Sequence, residues 1–356
     1  MKKDQPLLLI LELIFGISFL LLILLFVYII TFPRNLLGTT LIQNPRLEQK
    51  STATVFMDQN NQKIYKTTES VDSENILTEP TQQLGSSDKP VETLNDRFPG
   101  GAVIQQMEQE MLRLINEARM DNGLTTVEWD GFAAKVGEDH AIDMVNNGYF
   151  SHWNMKGFGP DIRYSFAGGY LNVMENIYTY YQRYDDGTPV LISNWQEVIR
   201  DAHIGLMNSP GHRKNILDPS HTHVGVGFSY NLQTGTFSLA QEFINQYVML
   251  NELPSSAQPG ETIIVSGSFM NSSQNPMVNL SYEPIPHPMS LEELNLTNTY
   301  QSAAQFVSAH SPIQVDQRTY KFEVKLGDHP GLYHILMWVD VLGAQVQTVD
   351  WIIQVD

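Results

Sequence analysis

The pattern of hydrophobic and polar positions divides the chain into four segments, and the first is an apolar run from Leu7 to Phe32. One charge, Glu12, interrupts it. Its uncharged part, Leu13 to Ile30, spans roughly 27 Å as a helix, which is close to the hydrocarbon thickness of a bilayer. No small-x-small cleavage site follows, so we predict an uncleaved transmembrane signal-anchor over 1–32 rather than a signal peptide. The basic residues on its two sides are too evenly distributed to decide its orientation.

The second segment, residues 33–100, is predicted to be a flexible stalk. Residues 67–98 are rich in Thr, Ser, Glu, Gln, Asp and Pro and poor in aromatic residues. Such a composition cannot bury enough apolar surface to offset the entropy of ordering. Residues 55–65 are an exception, because two short strand-like runs flank an Asn-Asn turn and predict a small hairpin.

The third segment, residues 101–250, has the helical period of 3.6. Its first apolar stripe consists of Val103, Met107, Met111, Leu114, Ile115 and Ala118. The predicted elements are helices over about 103–121, 131–147 and 194–208, followed by strands over 223–230 and 236–244. Helices followed by a hairpin indicate an α+β domain rather than a parallel sheet.

The last segment, residues 258–356, has the strand period of two. Thr319 to Leu326 alternates without exception and places Tyr, Phe, Val and Leu on one face. Further strand-like runs separated by turn signals predict a small antiparallel β-sandwich of immunoglobulin-like type, without the usual cysteine pair. Residues 251–256 are the predicted linker, and we expect the two regions to fold separately.

The composition narrows the classes of function. The chain has 21 basic and 39 acidic residues and a net charge of −18. Because such a surface repels phosphate backbones, we expect no nucleic-acid partner. There is no cysteine, which excludes disulfides, thiolate metal sites and cysteine nucleophiles. The sequence also lacks the local motifs of zinc proteases, phosphate loops, serine hydrolases and dinucleotide-binding enzymes.

Histidines beside turns are the candidate chemistry of the helical region. His152 follows the second helix, His212 follows the third, and Glu175 lies between them. Two neutral imidazoles and one carboxylate suit Zn²⁺ or another divalent ion and leave a fourth position for water. The structural alternatives are a helix cap for His212 and a surface position for His152. His140 and His203 lie on apolar helix faces and are interpreted as core residues.

Five stretches of the helical region resemble bacterial members of the CAP superfamily, the family of cysteine-rich secretory proteins, antigen 5 and plant pathogenesis-related proteins. They are Leu114-Ile115-Asn116-Glu117-Ala118-Arg119, Gly148-Tyr149-Phe150-Ser151-His152, Glu175-Asn176-Ile177, Ser209-Pro210-Gly211-His212-Arg213-Lys214-Asn215-Ile216-Leu217 and Val224-Gly225-Val226-Gly227. The resemblance covers roughly 103–250. It implies an α-β-α sandwich with a cleft lined by two histidines and two acidic residues.

The resemblance carries over to individual residues. His152 and His212 match the two histidines, and Glu175 matches the first acid. Ser209 stands where animal and plant members have the second glutamate, and Met174 replaces the glycine that usually precedes Glu175. The implied cleft therefore consists of His152, Glu175, His212 and Ser209, and the first three are expected to hold a divalent ion, such as zinc, only weakly.

The resemblance also implies an extracellular location, and three functions stay open. We favour a non-catalytic module that binds a small lipid, glycan or peptide at the cell surface, because no nucleophile–base pair is visible. The second is a metal-dependent hydrolase in which His152, Glu175 and His212 hold an ion that activates water. The third is a structural or adhesive surface protein whose β-sandwich binds a partner that the sequence does not identify.

Overall fold

The computed structural model describes residues 54–57, 63–69, 102–270, 273–297 and 299–356. The predicted anchor over 1–32 lies outside the described residues, as does most of the predicted stalk over 33–100. Within the described ranges, no helix is both long and apolar enough to cross a membrane.

The described residues form six helices. They are α1 (Ala102–Asp121), α2 (Gly131–Asn147), α3 (Pro160–Phe166), α4 (Trp195–Asn208), α5 (Pro210–Ile216) and α6 (Leu291–Leu296). The three long predicted helices are confirmed. At α2, Asp130 caps the first turn by accepting a hydrogen bond from Ala133 N, and Gly148 ends the helix in the left-handed conformation. Helix α5 was not predicted, because Pro210 breaks α4 but is also a favourable first residue of a new helix.

A six-stranded sheet lies between the first five helices. Its strands are β1 (Thr54–Met57), β2 (Lys63–Glu69), β3 (Glu128–Trp129), β4 (Val173–Tyr184), β5 (His223–Asn231) and β6 (Thr236–Ile244), in the order β1-β2-β4-β6-β5-β3. The two predicted strands of the β5–β6 hairpin are confirmed. Strand β4 was not predicted, because both of its faces are buried over much of its length and the alternation of polar and apolar residues is lost.

The hairpin predicted within 55–65 is present and belongs to this sheet. Strands β1 and β2 pair antiparallel, and β2 continues the sheet along β4, from Ile64 opposite Tyr184 to Glu69 opposite Thr179. The stalk prediction therefore does not hold for 54–57 and 63–69. Pairing with β4 supplies the backbone hydrogen bonds that an isolated two-stranded hairpin lacks.

Helices cover both faces of the sheet. Helices α1, α4 and α5 share a core with one face, which includes Met111, Ile199 and Leu239. Helix α2 packs on the other face so closely that a Cβ on Gly227 of β5 would lie 1.8 Å from Glu138 N. Only a glycine allows this approach of helix and strand backbones. The region is an α-β-α sandwich within an α+β fold.

The C-terminal part forms two further sheets. Its strands are β7 (Val248–Leu250), β8 (Ser256–Ala257), β9 (Thr262–Phe269), β10 (Gln274–Glu283), β11 (Gln305–His310), β12 (Gln314–Val315), β13 (Thr319–Lys325), β14 (Gly331–Val341) and β15 (Ala344–Val355). The orders are β11-β10-β14-β15-β8 and β12-β13-β9-β7. Residues of both sheets, such as Phe322 and Ile335, belong to one hydrophobic core. The immunoglobulin-like type stays a prediction.

The two parts share an extensive interface and belong to one compact unit. Thr348 of β15 donates a hydrogen bond to Asn245 O and accepts one from Tyr247 N, at 2.7 and 3.1 Å. Strand β7 lies inside the region predicted as 101–250, yet it pairs with β9. Hydrogen bonds and strand pairing therefore join the two regions at their junction, whereas the sequence predicts that the regions fold separately.

Candidate functional site

A buried charge cluster surrounds Glu175 on β4. The carboxylate has no solvent exposure, and its Oε1 lies 2.7 Å from His152 Nδ1. Arg163, which α3 positions, donates from Nη2 to the other oxygen of Glu175 and from Nη1 to His152 O. The structure thus brings two of the predicted cleft residues, His152 and Glu175, into direct contact. It adds an arginine that is hydrogen-bonded to the second carboxylate oxygen.

A second buried acid, Glu242, lies beside this pair. It is directly opposite Glu175 in the β4–β6 register, and its Oε1 is 3.9 Å from Arg163 Nη2. Burial and the charge of Glu175 raise the pKa of Glu242 well above its ordinary value. Burial alone would also raise the pKa of Glu175, but Arg163 and the two neighbouring imidazoles outweigh it and lower that pKa. The surroundings therefore favour the ionised form of Glu175 and the neutral form of Glu242.

His140 of α2 completes the cluster. Its Nε2 lies 2.9 Å from Ser151 O and 4.0 Å from Glu175 Oε2. Burial, followed by the charge of Arg163, lowers the pKa of His140 to about 3, so this imidazole is neutral at physiological pH. The sequence interpretation of His140 as a core residue agrees with its 1% exposure.

Ser209 and His212 lie at the junction of α4 and α5. Ser209 is buried, ends α4 and begins α5, and its carbonyl accepts the hydrogen bond of Arg213 N. His212 lies half-buried in the first turn of α5, and its carbonyl accepts a 3.3 Å hydrogen bond from Asn176 Nδ2. Asn176 follows Glu175 on β4. Because successive strand residues point to opposite faces, α5 contacts the face of the sheet opposite to the one that Glu175 occupies.

The arrangement of donors around Glu175 does not fit a metal ion. Zinc ligands lie about 2 Å from the ion, so three donor atoms must come within a few ångströms of one another. Among the described residues, His152, Glu175 and His212 do not form a group whose ligand atoms all lie within 4.8 Å. Both oxygens of Glu175 are already bonded, to His152 and Arg163. An ion at this carboxylate would have to displace one of them, and weak zinc binding stays a prediction.

Other residues of the recognised stretches have a structural role. Asn176 on β4 donates to Gln241 Oε1 and accepts from Asn215 Nδ2 of α5, at 3.1 and 3.0 Å. The Asn215 oxygen lies 2.9 Å from His221 Nε2, and Asn245 lies at the other nitrogen of that ring. This buried chain of polar groups fixes α5 to the sheet.

Arg119 of α1 has a similar structural role and no solvent exposure. Its guanidinium donates to the carbonyl oxygens of Thr125, Ile216, Asp218 and His221. The guanidinium thereby satisfies the carbonyls at the end of α5 and ties the loop before β5 to α1.

The rings of His152, Trp153 and Tyr300 form an aromatic border beside the charge cluster. The ring of Tyr300, from the segment between α6 and β11, lies with its centroid 5.0 Å from Trp153 and 6.4 Å from His152. Tyr300 packs so closely on Gly159 that a Cβ there would lie 2.3 Å from the ring. The three rings are half-buried, and one of them comes from the C-terminal part of the chain.

Comparison with known proteins identifies the region that holds this cluster. Residues 112–243 match the family model described as CAP, cysteine-rich secretory protein family. The chain carries a CAP domain. Over 130 residues it is 32% identical to the uncharacterized membrane protein YlbC of Bacillus subtilis, covering 36% of this chain and 34% of that protein. Over 156 residues it is 30% identical to the uncharacterized protein YkwD of the same organism, covering 44% of this chain and 53% of that protein.

The chain therefore spans about a third of the length of YlbC and about half of the length of YkwD. Among solved structures it is similar to an extracellular protein containing a SCP domain from Bacillus anthracis. That match has 26% identity and a TM-score of 0.31, and it covers 40% of this chain and 41% of that one. The family model covers most of the α-β-α region, and its matched residues 112–243 include all four predicted cleft residues.

Three residues that surround Glu175 and His152 were not predicted from the sequence: Arg163, Glu242 and Tyr300. Arg163 and Glu242 carried a signal that could have been noticed, since each is a charged residue with apolar neighbours, such as Ile162 and Phe243. Tyr300 carried none, because it lies 148 residues after His152 in a polar segment. Its position depends on how the C-terminal part packs against the CAP domain.

Proposed function

We propose that the chain is a cell-surface protein whose CAP domain binds a small ligand without catalysing a reaction. The ligand would be a lipid, a glycan or a peptide. The observation that carries the proposal concerns Glu175, the carboxylate that a hydrolase would need. Its two oxygens are already hydrogen-bonded, one to His152 and the other to Arg163.

A catalytic base must reach the proton of water or substrate. The Glu175 carboxylate has no solvent exposure, and its lowered pKa makes it a weak proton acceptor. Glu242 is also fully buried, and its raised pKa favours the protonated form, which cannot accept a further proton. These properties favour a cluster that stabilises the domain over one that activates water.

The binding surface we infer is the aromatic border formed by His152, Trp153 and Tyr300. Half-buried aromatic rings offer flat apolar faces with polar edges, which suit stacking on a sugar or contact with an acyl chain. Glu175 is hydrogen-bonded to the His152 ring and Arg163 to the His152 carbonyl oxygen, so both hold this residue in place. In this proposal the charge cluster orients the binding surface rather than performing chemistry.

The surface location is part of the same proposal. The predicted anchor over 1–32 would hold the chain in the cell membrane in a single pass, with the CAP domain and the C-terminal immunoglobulin-like sandwich outside. The name of the relative YlbC, a membrane protein, supports the anchor. In such an arrangement the ligand would come from the cell envelope or the medium.

The test uses the full chain in mild detergent. Isothermal titration calorimetry would measure binding of phosphatidylglycerol in mixed micelles, of an N-acetylglucosamine tetramer and of a casein peptide digest. Mass spectrometry would search the same mixtures for products. We expect saturable binding of one probe class, its loss in Trp153→Ala and its retention in Phe306→Ala, an exposed aromatic residue on β11. Product formation that Glu175→Gln abolishes would contradict the proposal and favour the hydrolase.

A further inference from the structure

A second cluster of ionisable side chains lies where the CAP domain meets the C-terminal sheets. It consists of Asp161 on α3, His334 on β14 and Asp350 on β15, with Glu283 of β10 beside them. One ligand atom from each of the first three lies within 4.8 Å of the other two. All four side chains are buried, and His334 has no exposure.

The histidine is the centre of this cluster. His334 Nδ1 lies 2.9 Å from Asp350 Oδ1, and its Nε2 lies 3.2 Å from Glu283 Oε1. Asp161 approaches from the CAP side, where its Oδ1 accepts a hydrogen bond from Ile162 N. The Tyr300 hydroxyl is hydrogen-bonded to the same carboxylate. The four ligand-type side chains therefore come from four separate elements.

The charges of the cluster do not balance. Three carboxyl groups face one imidazole, so the total is −2 when His334 and all three carboxyl groups are ionised. Within the described part of the chain, no lysine or arginine forms an ion pair with Asp161, Glu283 or Asp350. Burying an uncompensated charge is costly unless the group is paired or coordinates a metal.

We propose that Asp161, His334 and Asp350, with Glu283, bind a divalent metal ion that accepts mixed nitrogen and oxygen ligands, Zn²⁺ or Mn²⁺. Carboxylates favour manganese and imidazole favours zinc, and both ions accept this combination. The ion neutralises the excess charge. It also joins α3 of the CAP domain to β14 and β15, so it contributes to the stability of the interface.

The site is separate from the histidines of the CAP cleft. His152 and His212 are not among its ligands, and the proposal does not depend on the proposed binding function. The two sites are linked through Tyr300, which contacts the His152 ring and bonds to Asp161. Metal binding would therefore also fix the aromatic surface beside His152.

The test measures metal content and thermal unfolding of the full chain after chelator treatment and re-equilibration with Zn²⁺, Mn²⁺ or Ca²⁺. We expect one equivalent of Zn²⁺ or Mn²⁺ and a rise in Tm of roughly 5 °C at a metal concentration 100 times the Kd. Asp161→Asn and His334→Gln should each lose the bound equivalent. His152→Gln, the matched control in the other site, should retain it.

A spectroscopic measurement keeps the proposal testable if a variant fails to fold. Electron–nuclear double resonance of wild-type protein with Mn²⁺ should show coupling to a single imidazole nitrogen. Failure of wild-type protein to bind either ion, with an unchanged Tm, would show that the cluster is a charge network alone. Loss of the metal in His152→Gln, with retention in His334→Gln, would assign the ion to the CAP cleft and overturn the proposal.

Discussion

Replacing Arg163 with methionine should leave the ionised Glu175 buried without its nearest counter-charge. The guanidinium bonds to the carboxylate and also donates to two main-chain carbonyls, those of His152 and Phe158. Removing one partner of a buried ion pair typically costs about 3–5 kcal/mol, because the remaining charge loses its compensation. That loss is a large fraction of the roughly 5–15 kcal/mol that stabilises an ordinary domain.

The charge of Glu175 causes most of this loss, and a double-mutant cycle isolates it. Glu175→Gln combined with Arg163→Met removes both charges, so the double variant should be more stable than the sum of the single effects predicts, by at least about 2 kcal/mol. Urea unfolding followed by circular dichroism measures all three variants. The matched control is Arg113→Met, which breaks an exposed pair with Glu110 and should change stability little.

Two outcomes would refute this reasoning. If Arg163→Met shifts the urea midpoint no more than Arg113→Met does, Glu175 is not an uncompensated buried charge in the variant. If the Arg163 and Glu175 effects are additive, the two side chains do not stabilise one another. Either result would remove the physical basis for treating the charge cluster as a stabilising element.

Three further predictions concern the packing of the fold. Gly227→Ala should prevent soluble expression because its Cβ would meet the backbone nitrogen of Glu138, whereas Gly211→Ala, with open space around it, should leave the circular dichroism spectrum unchanged. Burial lowers the pKa of His203 to about 4 from 6.5, so the unfolded chain binds a proton that the folded one does not. Protonation of His203 should therefore lower the stability by about 3 kcal/mol as pH drops from 6.5 to 4. In urea titrations at the two pH values, His203→Leu should reduce the pH dependence of stability by that amount. A chain ending at Pro254 should retain its helices by circular dichroism but unfold at a lower temperature, and an unchanged Tm would show that the interface adds no stability.

Local sequence determined most of the secondary structure of the CAP domain. The apolar stripe of α1, the Asp130 cap and the Gly148 end of α2 depend on residues within a few positions of one another. Such short-range effects can be recognised from a single sequence. The recognised stretches likewise identified His152 and Glu175, because the resemblance preserves their order and spacing.

The tertiary structure alone decided what surrounds these residues. Arg163, Glu242 and Tyr300 reach Glu175 and His152 from three different elements, and no periodicity links their positions. The same holds for the charge cluster around His334. A buried charge is stabilised by whichever side chains fold into the same desolvated volume, and that choice depends on the packing of distant segments. The sequence by itself therefore determined the three long helices, the β5–β6 hairpin and the resemblance to the CAP family, whereas three-dimensional packing determined which charges meet.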